Sequence, residues 1–160
     1  MTDVPELDSF ATPSIAVVIG ATGGIGRAFM AQLQQSDRFS HVVGFSRTTD
    51  PALDFTKPDG IAACVQHLRD LSGDVRLIID ATGYLHDDTH QPEKSLRHID
   101  ADYMAKQFLI NAIGPALLMK HFCPLLPRDG KSVFATLSAK VGSISDNRMG
   151  GWYGYRAAKA

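Results

Sequence analysis

The stretch S-I-A-V-V-I-G-A-T-G-G-I-G, residues 14–26, decides the fold of this chain. Ser14 to Gly20 form a continuous apolar run rich in β-branched residues, which is typical of a strand buried on both faces of a parallel sheet. A glycine-rich turn follows, and residues 27–35 then show the apolar spacing of a helix. This order predicts a dinucleotide site, because glycines admit a pyrophosphate and the free N–H groups of the helix start bind it.

The turn supplies the candidate phosphate-binding residues, which are Gly20, Thr22, Gly23, Gly24, Ile25 and Gly26. Their spacing, G-x-x-x-G-x-G, differs from the commoner G-x-G-x-x-G. The alternative interpretation is a tight connection between a strand and a helix with no ligand.

Strands and helices alternate along the chain, so the predicted fold is α/β: a Rossmann-type doubly wound parallel sheet with helices on both faces. Residues 14–160 are predicted to form one dinucleotide-binding domain behind a flexible lead, residues 1–13. The predicted strands are 14–20, 41–45, 53–55, 75–79 and 131–138, and the predicted helices are 27–35, 58–71, 101–126, with a bend at Pro115, and one that begins near Trp152.

Composition limits the function. The 16 basic and 17 acidic residues nearly balance, so the chain presents no field of one sign to nucleic acid or an anionic membrane. No apolar run is expected to reach the ~20 residues that span a bilayer. The amino end lacks the positive start of a secretory signal. Cys64 and Cys123 are predicted to be free thiols in a reducing cytoplasm.

The end of the second predicted strand indicates the cofactor. An acid there would bind a ribose 2′-hydroxyl and repel a 2′-phosphate, but Ser46 and Arg47 stand in its place. A guanidinium binds phosphate through two parallel hydrogen bonds, so Arg47 is predicted to bind the 2′-phosphate of NADP. The alternative is a solvent-facing arginine. Asp54 is a candidate acceptor for the adenine amino group, with a turn-forming aspartate as the alternative.

Tyr155 and Lys159 are four residues apart near the end of the chain. On a helix they share one face. An ammonium group there would stabilise phenolate and lower the pKa of the phenol from its usual ~10. Tyr155 is therefore a candidate proton donor to a carbonyl oxygen. The alternative is an ordinary surface helix.

Together these residues resemble the short-chain dehydrogenase/reductase family. The glycine turn, Asn111 in N-A-I-G-P, Ser138 at a strand end, and the Tyr155–Lys159 pair follow one another in that family's order. Residues 141–153 are similar to the sniffer-like carbonyl reductases and the C-factor cell-signalling proteins of that family.

The resemblance implies an NADPH-dependent reductase of a small aldehyde or ketone, with NADP(H) favoured over NAD(H). Tyr155 would give a proton to the substrate oxygen, and Lys159 would lower the pKa of the phenol and hold the nicotinamide ribose. Ser138 would orient the substrate oxygen, and Asn111 would hold a water that links Lys159 to solvent. Beyond the turn, the expected cofactor-binding residues are Ser46, Arg47, Asp54, Phe55, Ala81, Thr82 and Gly83.

Three features depart from the family pattern. Ala139 stands where the family places its catalytic serine, so either Ser138 or Ser143 substitutes, or the enzyme works without this donor. Ser138 is preferred because it ends a strand. Asp80 replaces an asparagine of the family. The fold of the family also continues past the Tyr–Lys helix, so the sequence is expected to be a truncated form of a longer chain.

Other patterns carry weaker expectations. Residues 86–90 contain two histidines and two aspartates, but a solvated loop is the preferred interpretation and no metal is assigned. Helix 101–126 has more apolar positions than one stripe requires, which the resemblance interprets as a homodimer or homotetramer interface. The alternative is a helix buried by the sheet and by residues beyond the chain. The competing function is a regulatory protein that binds a dinucleotide with little or no turnover.

Overall fold

The computed structural model describes residues 7–57 and 59–160. It forms two compact units. The first comprises the described residues up to Ala81 together with Leu118–Thr136, and the second comprises Thr82–Leu117 together with Leu137–Ala160.

The first unit is built on a parallel sheet of four strands in the order β2-β1-β3-β4. These are β1 (Ser14–Ile19), β2 (Phe39–Phe45), β3 (Asp74–Asp80) and β4 (Val133–Thr136). Every residue of β1 is buried. A strand with buried side chains on both faces must carry apolar residues at consecutive positions, which is why β1 reads as an unbroken apolar run.

Helices cover both faces of this sheet. Helix α1 (Gly24–Leu33) places Leu33 in one apolar cluster with Ala16 and Val18. On the other face, Phe45 contacts His67 of helix α2 (Asp59–Arg69) and also contacts Phe122. Phe122 ends helix α4 (Gly114–Phe122), whose last part belongs to this unit. The predicted doubly wound α/β architecture is therefore confirmed.

The second unit is mainly helical. It contains α3 (Ala101–Phe108), a π-helical turn (Leu109–Ile113), the start of α4 and α5 (Tyr153–Lys159). Short 3₁₀ turns occur at Leu96–His98 and Lys140–Gly142. In the first unit, a third such turn at Cys123–Leu125 follows α4. The π turn lies just before Pro115, which has no N–H to donate to the Asn111 carbonyl, so the α-helical ladder is interrupted where a bend is predicted.

Two expectations need correction. Residues 53–55 form no strand, because the backbone turns there: the N–H of Leu53 donates to the Ser46 carbonyl over 2.8 Å. The predicted lead is also partly packed, since Phe10 is only 5% exposed and its ring lies 5.7 Å from that of Phe39. The first six residues of that lead, and Pro58 of the predicted second helix, lie outside the described residues.

Within the described residues, the helical segment Ala101–Leu125 is long and apolar enough, by length and composition, to cross a membrane. It reaches a length that the sequence analysis did not expect. Leu118 and Phe122 are fully buried in the first unit, and Tyr103 and Gln107 are buried in the second. Core packing therefore accounts for part of its apolar character.

Candidate functional site

The glycine turn after β1 is shaped by close backbone contacts. The N–H groups of Gly20 and Ala21 both donate to the Phe45 carbonyl, over 2.8 and 3.1 Å. Gly20 has a positive φ of 81°, which favours glycine. A Cβ at Gly26 would lie 2.1 Å from the Gly20 carbonyl oxygen, so no side chain fits there. Gly20 and Gly26 are therefore required by the turn itself.

Gly24 differs from these two glycines. A Cβ at this position would meet no described atom within 4 Å. Gly24 begins α1, whose N-terminus receives no side-chain cap and has no acidic residue in its first turn among the described residues. The first N–H groups of α1 thus receive no side-chain cap among the described residues, and such a helix start binds anions. The cradle fits a pyrophosphate, with Thr22, Gly23 and Ile25 exposed around it.

The end of β2 forms a polar turn. Ser46 is buried; its N–H donates to Thr49 Oγ1 over 2.9 Å, and its Oγ accepts from the Thr48 N–H over 3.2 Å. These bonds hold Ser46 within the protein. Arg47 beside it is exposed. Of these two residues, which are both predicted to bind the cofactor, Arg47 has the more accessible side chain, and it is the one predicted to bind the 2′-phosphate.

Asp54 has a local structural role. Its Oδ1 accepts from the Thr56 N–H over 2.9 Å and from the Thr56 hydroxyl over 2.8 Å. These bonds from Thr56, and then the charges of Lys57 and Arg47, lower the pKa of Asp54. The turn-forming interpretation of Asp54 thus describes its contacts, while its role toward adenine stays a prediction. Phe55 is buried, at 9% exposure.

Asp80, which ends β3 where the family has an asparagine, has a polar partner on the neighbouring strand. Asp80 is fully buried and pairs in register with Thr136 of β4, whose hydroxyl donates to Asp80 Oδ2 over 2.8 Å. A carboxylate accepts this bond as well as an amide oxygen does, so the hydroxyl accommodates the exchange. Ala81 continues the strand edge, since its N–H donates to the Ile19 carbonyl over 2.9 Å.

In the second unit, the side chain of Asn111 is buried, with only 5% exposed, and it binds the backbone of Tyr84. Its Oδ1 accepts from the Tyr84 N–H over 2.9 Å, and its Nδ2 donates to the Tyr84 carbonyl over 2.7 Å. These two bonds fix the backbone that follows Thr82 and Gly83. The side-chain amide of Asn111 is thus engaged in holding this segment.

Tyr155 lies on α5, partly buried, with its ring edge-on to that of Trp152 at 6.2 Å. Burial raises the pKa of Tyr155 above its ordinary value, because the phenolate loses hydration. This direction is opposite to the predicted acidification. A phenol is protonated at neutral pH with its ordinary pKa as well, so the proton that a donor requires is present, and the raised pKa makes that proton harder to release.

Lys159 is held at both ends by the segment that follows β4. Its Nζ donates to the Leu137 carbonyl over 2.8 Å, and its own carbonyl accepts from the Ser138 hydroxyl over 3.0 Å. A Cβ at Gly142 would lie 2.5 Å from the Lys159 carbonyl oxygen, so the backbone of α5 packs directly on this glycine. Ser138 and Gly142 therefore position Lys159.

The two serine candidates differ in their contacts. Ser138 bonds to the end of α5, whereas the hydroxyl of Ser143 lies 3.4 Å from that of Ser145 and accepts from the Asp146 N–H over 3.3 Å. Ser143 thus shapes its own loop. Ala139 offers no hydroxyl.

Asp87 organises the loop with two histidines. Within residues 7–57 and 59–160, no three His, Cys, Asp or Glu side chains form a group that could hold a metal. Asp87 accepts from the Tyr84 hydroxyl over 2.6 Å and from Lys106 Nζ over 2.8 Å. Hydrogen bonds from Lys106, Tyr84 and Thr89 hold the pKa of Asp87 well below its usual range.

Both cysteines are free, and burial raises the pKa of Cys64 to about 11.

Two residues that the sequence analysis missed organise the surroundings of Tyr155. Arg156 donates to three loop carbonyls, those of Val141, Gly150 and Gly151, over 2.8, 3.3 and 3.0 Å. Glu93 is buried against the start of α5 and accepts from the Gly154 N–H over 3.3 Å. Glu93 lies 61 residues from its partner, so no local sequence pattern indicates it.

Comparison with known proteins agrees with this geometry at the level of fold. No protein-family model matches the chain. A 1-hydroxy-2-glutathionyl-2-methyl-3-butene dehydrogenase of Rhodococcus sp. (strain AD45) is 27% identical over 92% of this chain and 66% of its own length. The C-signal protein of Myxococcus xanthus is 38% identical over 38% of each chain. The chain thus spans less than two thirds of the length of these relatives.

Solved structures match over nearly the whole chain. The Caenorhabditis elegans protein described as the carbonyl reductase Sniffer has a TM-score of 0.78 at 21% identity, over 94% of this chain and 75% of its own. The NADPH-bound carbonyl reductase from chicken fatty liver has a TM-score of 0.74 at 22% identity, over 94% and 66%. A Burkholderia multivorans protein described as a short-chain dehydrogenase/reductase, solved with NADP, has a TM-score of 0.71 at 26% identity, over 92% and 67%.

The chain has the short-chain dehydrogenase/reductase fold.

This match confirms the resemblance predicted from the glycine turn, N-A-I-G-P and the Tyr155–Lys159 pair. Within the short-chain dehydrogenase/reductase fold, the first unit carries the glycine turn and Arg47. The second unit carries Asn111, Ser138, Tyr155 and Lys159. The roles of these residues stay predictions.

Proposed function

We propose that the chain is an NADPH-dependent oxidoreductase of the short-chain dehydrogenase/reductase type that reduces a small aldehyde or ketone. The observation that carries this proposal is the partly buried phenol of Tyr155, which lies one helical turn from Lys159 on α5. When bound, the dinucleotide supplies the hydride.

The first unit contributes dinucleotide binding. The uncapped start of α1 and the open space at Gly24 suit a pyrophosphate, and exposed Arg47 suits a 2′-phosphate. These features favour NADP(H) over NAD(H). The similarity to structures solved with NADP or NADPH supports the same assignment.

The second unit contributes proton transfer. Tyr155 donates its phenolic proton to the substrate oxygen as negative charge develops there, and the ammonium of Lys159 stabilises the phenolate that remains. Leu137 and Ser138 hold Lys159 in place. Because the side chain of Asn111 is bound to Tyr84 and Pro115 cannot donate to its carbonyl, that carbonyl is the group we assign to the water that resupplies the proton.

We also propose that the protein is cytoplasmic and forms a homodimer or homotetramer through the apolar segment Ala101–Leu125. Ile113 and Met119 of this segment are 48% and 44% exposed. Sedimentation of the purified protein tests the assembly: a monomer at micromolar concentration would contradict it.

A second candidate function is a regulatory protein that binds the dinucleotide with little or no turnover. Ala139 favours it, because the position lacks a hydroxyl, and so does the similarity to C-signal.

NADPH oxidation in the presence of a panel of aldehydes and diketones tests both functions. Turnover of one or more of these compounds supports the reductase. Tight NADPH binding with no turnover on any of them supports the regulatory function, and the absence of NADPH binding contradicts both.

A further inference from the structure

Helix α5 begins without a cap of its own. It has seven residues, its N-cap is Trp152 in the left-handed region with φ of 54°, and no side chain within its own sequence caps it or places an acid in its first turn. A helix this short does not hold its orientation alone, because its first N–H groups lack partners.

Glu93 supplies acceptors for two N–H groups at this helix start. Its backbone carbonyl accepts from the Trp152 N–H over 2.6 Å, and its Oε1 accepts from the Gly154 N–H over 3.3 Å. Glu93, in the loop before α3, therefore binds the start of α5 through both its main chain and its side chain. Trp152 and Gly154 lie on either side of the helix start, and Tyr155 follows at once.

Packing around this contact leaves little freedom for α5 to rotate. Glu93 is 1% exposed and Gln107 is 0% exposed. A Cβ at Gly154 would lie 2.0 Å from Gln107 Oε1 and 3.1 Å from Glu93 Oε1. Only glycine fits between these two side chains, although glycine is a poor helix former.

The buried position of Glu93 is unfavourable for the stability of the fold. Its Oε2 and the Oε1 of Gln107 are buried and have no hydrogen-bond partner in the described part of the chain. A buried carboxylate with an unmatched oxygen destabilises a fold, so packing alone does not favour this residue over an apolar one. Proteins keep such locally unfavourable groups where function requires them.

We infer that Glu93 is a positioning residue: by binding the Gly154 N–H it fixes the rotation of α5 and so the direction in which the phenol of Tyr155 projects. This inference rests on the proposed function, in which Tyr155 is the proton donor. A displacement of about 1 Å in such a donor is enough to lower turnover ~100-fold, so a rotation of α5 acts on catalysis more than on binding.

Three substitutions separate this role from bulk and charge. Glu93→Ala removes the acceptor, and Glu93→Asp keeps the charge but shortens the reach to the Gly154 N–H. Glu93→Gln keeps the acceptor oxygen, and its amide can also donate to the unmatched Gln107 Oε1. Asp88→Ala is the control, because it removes an exposed carboxylate from the same loop.

The experiment combines steady-state kinetics, NADPH affinity and hydrogen exchange at the Gly154 amide, measured on the full chain. Glu93→Ala and Glu93→Asp should lower kcat by about 10- to 100-fold, with KM and NADPH affinity nearly unchanged. Their Gly154 amide should exchange at least ~10-fold faster. Glu93→Gln and Asp88→Ala should match the wild type in both measurements.

The outcomes are distinguishable. Wild-type kcat and wild-type exchange in both Glu93→Ala and Glu93→Asp would overturn the inference, as would a Glu93→Gln variant as impaired as Glu93→Ala. If Glu93→Ala does not fold, the Asp and Gln variants decide. A wild-type protein without turnover would overturn the proposed function, and Gly154 exchange would still show whether Glu93 anchors α5.

Discussion

The hydroxyl of Ser138 donates to the backbone carbonyl of Lys159 over 3.0 Å. The same lysine donates its ammonium to the Leu137 carbonyl over 2.8 Å. Leu137 and Ser138, within the second unit, thereby bind both the main chain and the side chain of Lys159 at the end of α5. Ser138 acts on the Tyr155–Lys159 pair through this bond, and its predicted contact with substrate is a separate proposal.

Replacement of Ser138 by alanine should lower turnover. The change removes the donor to the Lys159 carbonyl and leaves that carbonyl with one bond fewer, so kcat should fall by about 10-fold. Ser143→Ala is the matched control, since the Ser143 hydroxyl contacts Ser145 and Asp146 of its own loop, and it should stay near the wild type. Equal, wild-type-like rates in both variants would make both serines structural.

The glycine turn offers a matched pair of alanine substitutions. Gly26→Ala places a Cβ 2.1 Å from the Gly20 carbonyl oxygen and should lower both thermal stability and NADPH affinity. Gly24→Ala meets no described atom and should leave the melting temperature unchanged, while it weakens NADPH binding at least ~10-fold by filling the space proposed for the pyrophosphate. Unchanged affinity in Gly24→Ala would remove the turn from cofactor binding.

Arg47→Ala should reduce the preference for NADPH over NADH. Loss of a guanidinium–phosphate pair should weaken NADPH binding about 10- to 100-fold and leave NADH binding nearly unchanged. The ratio of the two dissociation constants is the measurement, and Arg69→Ala, an exposed arginine at the end of α2, is the control. An unchanged ratio in Arg47→Ala would make Arg47 a solvent-facing residue.

The pH dependence follows from the raised pKa of Tyr155. The phenol must be protonated to donate, so the rate of reduction should stay level from neutral pH upward and fall only above the ordinary tyrosine pKa of ~10. The free energy of unfolding should also fall at high pH. Because the phenol ionises at a lower pH in the unfolded chain than in the folded one, its contribution to stability is present below pH ~10 and is lost as pH rises through the folded pKa. A rate that already falls near pH 8 would contradict the raised pKa.

Much of the fold could be predicted because β1 is apolar from Ile15 to Ile19 and the glycine turn follows it directly. The prediction of a strand at residues 53–55 was wrong. The alternation of apolar and polar residues there gives no sign that the N–H of Leu53 donates to the Ser46 carbonyl. Tertiary contact overrode the local pattern there.

The candidate site could be predicted only where the spacing of residues along the sequence places them on one element. Tyr155 and Lys159 lie one helical turn apart, so the sequence indicates that they share α5. Glu93 is 61 residues from Gly154, and its role comes from burial beside Gln107, which no periodicity encodes. The direction of the Tyr155 pKa shift was likewise inaccessible, because desolvation depends on packing.

NADPH oxidation by Tyr155→Phe, measured beside its NADPH affinity, tests the central claim most directly. The account predicts that the variant binds NADPH as the wild type does and reduces the best carbonyl substrate at least ~100-fold more slowly, because only the proton donor is lost. A Tyr155→Phe variant that reduces this substrate at the wild-type rate would contradict the assignment of Tyr155 as the proton donor.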